Sequence, residues 1–256
     1  MAVWQVLGDT DIEYIPCQYG KPLPPGLEGC EVYMVDFSAP LTDILALAEI
    51  AASILIIDHH KTAIADLHDI HQFLTPSHCA IRTVFDVEHS GAYLAWRHFH
   101  PETSLVPPLI AIIEDRDLWR NEHPYTREVS LALRAHPEWR TWLGLSIEAL
   151  YAEGRGIAGF LDAQIATVVD HPPTVWDLTG DEVPLYNLPG FMLSDTLHRA
   201  LDKHPAAPYA VGFFRAGDTW VYSLRSRKAD DVDVSLIAKG FGGGGHRTAA
   251  GFTLPA

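Results

Sequence analysis

The sequence predicts an α/β protein in two parts, an N-terminal domain with a parallel sheet and a smaller C-terminal α+β domain. In the first part, the apolar runs 31–35 and 53–57 have the length and composition of buried strands, and a helical pattern joins them. In the second part, short strand patterns bounded by turn residues surround a short helix. The long helical pattern 145–170 lies between the two parts and ends before a Pro-Pro pair.

The composition suits a folded protein with a substantial core. The chain has 256 residues, of which 48% are hydrophobic and 20% charged. No apolar run approaches the roughly 20 residues of a membrane span, and the three cysteines are an odd count without metal-type spacing. We therefore expect a cytoplasmic protein that does not bind membranes, with residues 1–150 as the first domain, 151–173 as a connecting helix and linker, and 174–256 as the second domain.

The predicted elements of the first domain alternate between helix and strand. The apolar run 109–113 is compatible with either a helix or a strand at this length, and Ser90 has the position of a helix cap. The other elements are strands at 12–15, 31–35, 53–57 and 81–85 and helical stretches at 1–7, 40–52, 65–74 and 145–170. The second and third of these strands form a βαβ unit, which places their carboxyl ends at one edge of a parallel sheet.

The second domain has a different pattern of elements. Its predicted strands are 174–178, 183–187, 209–215 and 219–226, and its predicted helices are 194–203 and 233–239. Gly217 and Asp218 predict a hairpin between the last two strands. We therefore expect a mainly antiparallel sheet.

Acidic and imidazole side chains follow the two strands of the βαβ unit. Asp36 comes directly after the first strand, and Asp58, His59 and His60 follow the second. Sites in open α/β sheets gather at the carboxyl ends of strands, and a carboxylate with two imidazoles suits a hard or borderline divalent metal. A polar start to a loop is the simpler explanation of the Asp-His-His sequence when it is taken alone.

A third carboxylate cluster follows the apolar run 109–113. This cluster, which includes Asp115 and Asp117, could contribute to the same site. Ion pairs of these aspartates with Arg116 or Arg120 explain the segment equally well. The segment alone leaves both explanations open.

Four consecutive glycines near the end of the chain are followed by His246 and Arg247. Glycines let a phosphate approach backbone N–H groups, and residues 248–250 could begin a helix whose amino end attracts an anion. The Lys-Ser/Thr pair of a P-loop is missing, and a flexible tip is the alternative explanation. With Arg225 upstream, the pattern favours ligand binding.

The charge of the chain is strongly acidic and unevenly distributed. The formal net charge is −15, which disfavours a protein that coats long nucleic acid through phosphate contacts. Six of the 18 basic residues lie between positions 215 and 247. A phosphorylated ligand is therefore expected to be small and to be captured locally.

Taken together, these motifs resemble the DHH family of phosphoesterases, the superfamily that includes the exonuclease RecJ, the oligoribonuclease/pAp phosphatases and cyclic-dinucleotide phosphodiesterases. Asp58-His59-His60 matches the motif that names the family, Val35-Asp36 matches its second motif, and the stretch from Ser90-Gly91-Ala92 to Asp115 resembles its fourth. Gly242 to His246, with Ala249-Ala250-Gly251-Phe252, is similar to the signature of the DHH-associated C-terminal domain. The resemblance covers essentially the whole chain.

The resemblance implies a metal-dependent phosphohydrolase that cleaves small nucleotides or short oligonucleotides with two manganese ions, magnesium being an alternative. Asp36 would bridge the ions, one of which His59 and Asp115 would also hold. Asp58 would orient the histidines, and His60 would lie at the scissile phosphate. The residues implied for binding the rest of the substrate are Arg225, Gly243, Gly244, Gly245, His246 and Arg247.

The family's first motif, a strand followed by a loop with His and Asp, would precede Met1 and has no counterpart in this sequence. Asp9 and Asp11 fall after the first helix and do not replace it. We expect that roughly 20 preceding residues are missing; the alternative is a nucleotide-binding or regulatory module with impaired catalysis. A sheet without its first strand would expose an edge to a partner, a homodimer being one such arrangement.

Overall fold

A computed structural model describes residues 1–177, 180, 182–228 and 232–256, without the side chain of residue 143. The chain has an α/β fold and forms two compact units, Met1–Gly159 and Phe160–Ala256. None of the described helices is both long and apolar enough to cross a lipid bilayer. The finer division of the chain at residues 150 and 173 stays a prediction.

The first unit contains a three-stranded parallel sheet. Its strands are β1 (Glu31–Val35), β2 (Ser53–Asp58) and β3 (Ala80–Phe85), with β2 in the centre. The helices that begin in this unit are α1 (Ala2–Leu7), α2 (Leu41–Ala48), α3 (Lys61–Leu67), α4 (Gly91–Phe99), α5 (Pro108–Asp117), α6 (Thr126–Leu133) and α7 (Ile147–Asp170), the last of which ends in the second unit. Two 3-10 turns, Ile70–Phe73 and Trp139–Gly144, complete the list. Because α2 joins two neighbouring parallel strands, the predicted βαβ unit is confirmed.

The central strand β2 is buried on both faces, because side chains alternate along a strand and helices cover each side. Ile54 and Ile56 pack with Ile44 of α2 on one face, and Ile57 packs with Leu94 of α4 on the other. Burial of each such side chain contributes roughly 1.5–3 kcal/mol. The strand is therefore firmly held, and the polar residues at its carboxyl end start from a fixed position.

Two segments of the first unit are decided by packing rather than by local pattern. Residues 12–15 form no strand, so that prediction is wrong: Tyr14 packs instead against Trp139, with 5.4 Å between the ring centroids, and donates a hydrogen bond to the carbonyl of Gly8. The chain between α1 and β1 is irregular. The run 109–113, for which the sequence allowed a helix or a strand, lies in α5, and Pro108 occupies the first turn, where its missing N–H costs nothing.

The second unit contains a six-stranded sheet with the strand order β4-β5-β6-β7-β9-β8. The strands are β4 (Thr174–Asp177), β5 (Glu182–Asn187), β6 (Tyr209–Ala216), β7 (Thr219–Ser226), β8 (Gly244–His246) and β9 (Ala249–Pro255), and the further helices are α8 (Leu193–Lys203) and α9 (Val234–Gly240). Among these described strands, β5 and β6 pair in parallel and the other neighbours are antiparallel. The mainly antiparallel sheet is therefore confirmed.

Two details of the second unit differ from the sequence predictions. The predicted strand 174–178 extends one residue beyond β4, and Leu178 lies outside the described residues. The prediction that residues 248–250 begin a helix is wrong, since Ala249 and Ala250 pair with β7 as the first residues of β9. The edge of β7 needs hydrogen-bond partners for its backbone, and β9 supplies them. The expected helix terminus for an anion is therefore not formed there.

Candidate metal centre

Asp36 lies in the turn that directly follows β1. Its backbone N–H donates to the carbonyl of Ile57 at 2.9 Å, which extends the pairing of β1 with β2 by one residue. Its φ angle is +57°, in the left-handed region that aspartate tolerates better than most residues. This bend ends the strand and leaves the Asp36 carboxylate half exposed at the edge of the sheet.

Gly91, the first residue of α4, makes room for the side chain of Asp36. A Cβ atom at position 91 would lie 2.6 Å from the Cβ of Asp36 and closer still to its Oδ1, so any other residue would displace the carboxylate. The preceding residue, Ser90, caps α4, since its hydroxyl accepts a hydrogen bond from the backbone N–H of Tyr93 at 3.2 Å. The Ser-Gly sequence thus begins a helix and admits a site residue at the same point.

Asp58 is fully buried at the end of β2 and acts as an acceptor for its neighbours. Its Oδ1 accepts from the backbone N–H groups of His59 and His60 at 2.7 and 3.1 Å and lies 2.7 Å from Nδ1 of His60, while its Oδ2 accepts from the hydroxyl of Ser38. Burial raises the pKa of Asp58, but the hydrogen bonds from His60 and Ser38 outweigh it, so the pKa lies below the ordinary value. Asp58 is therefore an ionised group that holds the ring of His60 through Nδ1.

His59 is the point at which two carboxylates converge. Its Nε2 lies 3.1 Å from Oδ1 of Asp36 and 3.2 Å from Oδ2 of Asp117, the last residue of α5. Burial lowers the pKa of His59, but Asp36 and Asp117 outweigh it and raise the pKa above the ordinary value. Burial raises the pKa of Asp117, and the neighbouring Asp36 carboxylate adds to that increase while His59 opposes it. These shifts reflect negative charge concentrated around one imidazole.

The donor atoms of Asp36, His59 and Asp117 fit a divalent cation. All three atoms lie within 4.8 Å of one another. Two ligands that are each about 2.1 Å from one ion are about 3.0 Å apart when they subtend a right angle, as in octahedral coordination. The distances of 3.1 and 3.2 Å from the imidazole to the two carboxylates match this spacing. One imidazole and two carboxylates suit Mn²⁺ better than Mg²⁺, which takes oxygen ligands almost throughout.

The structure does not bring Asp115, the predicted metal ligand, to this cluster. Its carboxylate accepts hydrogen bonds from the backbone N–H groups of Glu122 and His123 at 3.0 and 3.1 Å and from the hydroxyl of Thr126. Burial raises the pKa of Asp115, but these hydrogen bonds outweigh it and lower the pKa. Asp115 therefore fixes the turn that follows α5, and the geometry favours Asp117 as the ligand.

Glu114, a third carboxylate of α5, holds the start of α4 in place beside the centre. It is buried, and it accepts hydrogen bonds from the backbone N–H of Ser90 at 3.2 Å and from the guanidinium of Arg120 at the same distance. The ring of His89 lies 3.1 Å from its Oε1. Glu114 thus holds the turn before α4 in place, which in turn fixes Gly91 beside Asp36.

Tyr19 is a residue of the irregular segment that also reaches the centre. Its ring centroid lies 5.6 Å from that of His60 and 5.1 Å from that of Phe37. Burial of the hydroxyl end raises the pKa of Tyr19, and the charges of Asp58 and Asp36 raise it further, whereas a hydrogen bond from the backbone of Ser38 lowers it. Tyr19 is therefore a neutral phenol beside two carboxylates.

Sequence reasoning identified Asp36, Asp58, His59 and His60 as site residues, and the structure places them together. It did not select Asp117, because the choice between positions 115 and 117 depends on the element that carries them. In an α-helix these two positions point in nearly opposite directions, since each residue advances the helix by about 100°. Once the helix is known, one of the two must face away from the centre.

The predicted substrate-binding glycines of the second unit have a structural explanation. A Cβ at position 243 would lie 2.6 Å from the Cβ of Phe252 and closer still to the carbonyl of Gly251. Gly245 has a φ of +139° and would place a Cβ 2.6 Å from the carbonyl of Ala249. The hairpin of β8 and β9 therefore requires these glycines for its own packing. A role for them, and for Gly244, in substrate binding stays a prediction.

The predicted basic residues of the second unit are held by local contacts. The guanidinium of Arg225 donates to the hydroxyls of Ser194 and Ser223 and to the carbonyl of Leu224, at 2.8 to 2.9 Å, which ties β7 to α8. His246 ends β8, and the carbonyl of Arg247 accepts from the backbone of α9. These contacts hold the three residues in place within the second unit. That their side chains bind a substrate stays a prediction.

Comparison with known proteins gives a relative without a described activity. No protein-family model matches the chain. It is 29% identical over 260 residues to the uncharacterized protein R106 of Acanthamoeba polyphaga mimivirus, a match that covers 95% of this chain. The chain spans 59% of the length of that relative.

Similar solved structures include a phosphodiesterase, an exopolyphosphatase-related protein and RecJ. A pGpG-specific phosphodiesterase, PggH, from Vibrio cholerae has a TM-score of 0.39 at 9% identity, with 88% of this chain and 93% of that chain covered. An exopolyphosphatase-related protein from Bacteroides fragilis has a TM-score of 0.48 at 16% identity, with 88% of this chain and 66% of that chain covered. RecJ from Thermus thermophilus, in complex with Mg²⁺, has a TM-score of 0.39 at 13% identity, with 88% of this chain and 47% of that chain covered. At TM-scores below 0.5, these likenesses do not assign an activity to the chain.

Proposed function

We propose that the protein is a divalent-metal-dependent phosphoesterase that hydrolyses small nucleotides or short oligonucleotides. The observation that carries this proposal is the convergence of Asp36 and Asp117 on Nε2 of His59 at 3.1 and 3.2 Å. When His59 is neutral, the two carboxylates repel each other, and a divalent cation ligated by Nε2 would relieve that repulsion. Of these three residues, Asp36 and His59 belong to the motifs that resemble the DHH phosphoesterases.

Bound divalent ions neutralise phosphoryl oxygens and favour attack by water in phosphoester hydrolysis. The protein side chains supply orientation and proton transfer. Asp58 is buried and ionised, and it holds Nδ1 of His60 at 2.7 Å. Nε2 is then the ring atom of His60 that gives a proton to a leaving oxygen or takes one from water.

The distribution of charge along the chain favours small substrates over long polyanions. The formal net charge of −15 repels a long polyanion, and only the region from 215 to 247 is rich in basic residues. We assign the capture of the rest of the nucleotide to this second-unit region, with Arg225 as the main anion-binding residue. Manganese is the proposed metal because the resemblance to the DHH phosphoesterases implies it, and two of the three donors are carboxylates, which suit Mn²⁺.

A nucleotide-binding module without catalysis is the second candidate function. A further group of potential ligands consists of Asp36, Asp58 and His60. Within it, the Asp58 oxygens already accept from Ser38, from two backbone N–H groups and from the ring of His60. A second ion at that group would have to displace these hydrogen bonds. Two-ion chemistry therefore lacks an evident second set of ligands in the described part of the first unit.

Metal-dependent turnover distinguishes the two candidates. Hydrolysis of short oligonucleotides, pAp and cyclic dinucleotides is measured with and without Mn²⁺, for the wild type and for His59→Ala. We expect Mn²⁺-dependent turnover that His59→Ala lowers by at least about hundredfold. His68→Ala, an exposed histidine of the same unit, is the matched control and should leave turnover unchanged.

The binding module makes the opposite prediction. If the protein binds nucleotides but hydrolyses none of these substrates with Mn²⁺, the phosphoesterase proposal is wrong. The module is supported if binding then survives Asp36→Asn and His59→Ala but fails with Arg225→Ala. Arg215→Ala, which removes an exposed arginine of the neighbouring strand, controls for the general loss of positive charge.

A further inference from the structure

Tyr19 is an aromatic residue fixed beside the metal centre but half open to solvent. Its side chain lies on the irregular segment between α1 and β1, and the residue is 51% exposed. At the same time its ring lies 5.6 Å from the ring of His60, at an interplanar angle of 68°, and 5.1 Å from the ring of Phe37. These neighbours hold Tyr19 along one side and leave the rest of the residue accessible.

The two neighbouring rings limit the rotation of the Tyr19 ring. The ring is therefore arranged before any ligand arrives, which lowers the entropic cost of contact with one.

Residues that flank Tyr19 in sequence line a hollow of about 200 Å³. They include Gln18, Lys21 and Pro22, and Tyr19 itself does not line the hollow. The amide of Gln18 can both donate and accept hydrogen bonds, and the amine of Lys21 is a cation, so the hollow offers groups suited to a polar ring and to an anion. The prolines in this segment restrict its backbone and help to keep the hollow formed.

We propose that Tyr19 is a substrate-binding residue that stacks on the nucleobase next to the scissile phosphate. Aromatic rings take part in base stacking with any base, because every base has a π face. Because its ring lies 5.6 Å from that of His60, a base stacked on Tyr19 would be adjacent to a phosphate that His60 contacts. This inference rests on the proposed function, since it takes a nucleotide as the ligand, but it concerns binding rather than turnover.

Equilibrium binding tests the inference without depending on activity. AMP and inorganic phosphate are each titrated by calorimetry in the presence of Mn²⁺ against the wild type, Tyr19→Phe and Tyr19→Leu. Leucine keeps apolar bulk but removes the aromatic face. We expect Tyr19→Phe to retain AMP affinity within a few-fold and Tyr19→Leu to lose about tenfold to hundredfold, with phosphate affinity unchanged in both. Phe73→Ala, which removes another half-exposed aromatic residue of this unit, should change neither affinity.

Each outcome decides the inference. It is overturned if the wild type does not bind AMP, if Tyr19→Leu binds AMP as tightly as the wild type, or if Tyr19→Leu loses phosphate and AMP affinity equally, which would show a role in packing alone. If the wild type hydrolyses nucleotides and Tyr19→Leu binds AMP with full affinity, the proposed function stands and the stacking role of Tyr19 is wrong. If the wild type shows no turnover but its AMP affinity depends on the ring at position 19, the proposed function is wrong and the stacking role stands.

Discussion

At the scale of single residues, α5 places two aspartates only two positions apart in different environments. Asp117 lies 3.2 Å from Nε2 of His59, whereas Asp115 accepts hydrogen bonds from the backbone of the following turn. The side chains are chemically identical, and the helix alone separates their roles. Substitution of each by asparagine, which is nearly isosteric, therefore separates loss of the metal from loss of structure.

The first prediction concerns this pair of aspartates. Asp117→Asn removes a charged ligand and should weaken Mn²⁺ binding by about tenfold or more, with little change in the melting temperature. Asp115→Asn leaves buried donors without a charged acceptor and should lower the free energy of unfolding by about 1–3 kcal/mol while retaining Mn²⁺ affinity. Calorimetric Mn²⁺ titration and thermal unfolding of both variants measure the two effects. If Asp115→Asn weakened Mn²⁺ binding and Asp117→Asn instead lowered the free energy of unfolding, Asp115 would be the ligand.

The second prediction concerns the pH dependence of the centre. The pKa of His59 is raised above the ordinary value by Asp36 and Asp117, although burial opposes the shift. In the metal-free protein, the stability that the protonated imidazole contributes is therefore present below about pH 6.5 and is lost as the pH rises through the folded-state pKa. Mn²⁺ must displace this proton, so its affinity should rise with pH across the same window, by up to about tenfold per pH unit.

Free Mn²⁺ measured by electron paramagnetic resonance at about pH 6, 7 and 8 follows that dependence. Asp117→Asn serves as the comparison, because removal of one carboxylate lowers the pKa of His59 and moves the window to lower pH. An Mn²⁺ affinity that is independent of pH over this range would show that His59 is not a ligand.

At the scale of elements, the centre depends on the contact between α5, the start of α4 and the end of β1. Glu114 of α5 holds Ser90 through its backbone N–H at 3.2 Å, and Gly91 then admits the side chain of Asp36. The helix start is thus a part of the metal centre, although none of its side chains is a ligand. A change there should affect metal binding without touching a donor atom.

The third prediction follows from this contact. Gly91→Ala adds one methyl group within 2.6 Å of the Cβ of Asp36 and should displace its carboxylate, which lowers Mn²⁺ affinity by about tenfold or more. Gly156→Ala, in the helix α7, meets no atom within 4 Å and should stabilise the protein by about 0.4–1 kcal/mol without a change in Mn²⁺ affinity. Titration of both variants with Mn²⁺ measures the difference. Equal affinities would show that Asp36 does not need the space that Gly91 provides.

The elements differ in how far the sequence could predict them. The apolar run of β2 and the helix cap at Ser90 depend on local pattern, and the structure confirms both. The glycine-rich segment depends on tertiary packing, because β9 completes the hairpin against β7 and occupies the residues that a local view assigns to a helix. The segment around Tyr14 and Tyr19 has a short strand-like pattern at 12–15 that misleads, because its side chains are positioned by distant partners such as Trp139 and His60.

At the scale of the whole molecule, the sequence predicts the α/β fold and the site residues at the carboxyl ends of β1 and β2. Those residues come from two neighbouring parallel strands, so strand order alone brings Asp36 and His59 together. The remaining donor comes from a helix more than fifty residues later, and its selection depends on which face of α5 meets the sheet. Local pattern does not contain that information.

The location of bound Mn²⁺ tests the central claim most directly. In crystals grown with MnCl₂, an anomalous difference map at the manganese edge should show an ion about 2.1 Å from donor atoms of Asp36, His59 and Asp117. No anomalous density should lie at Asp115. The absence of density between these three side chains in the Mn²⁺-soaked protein, or an ion held by Asp115 in place of Asp117, would contradict the metal centre described here.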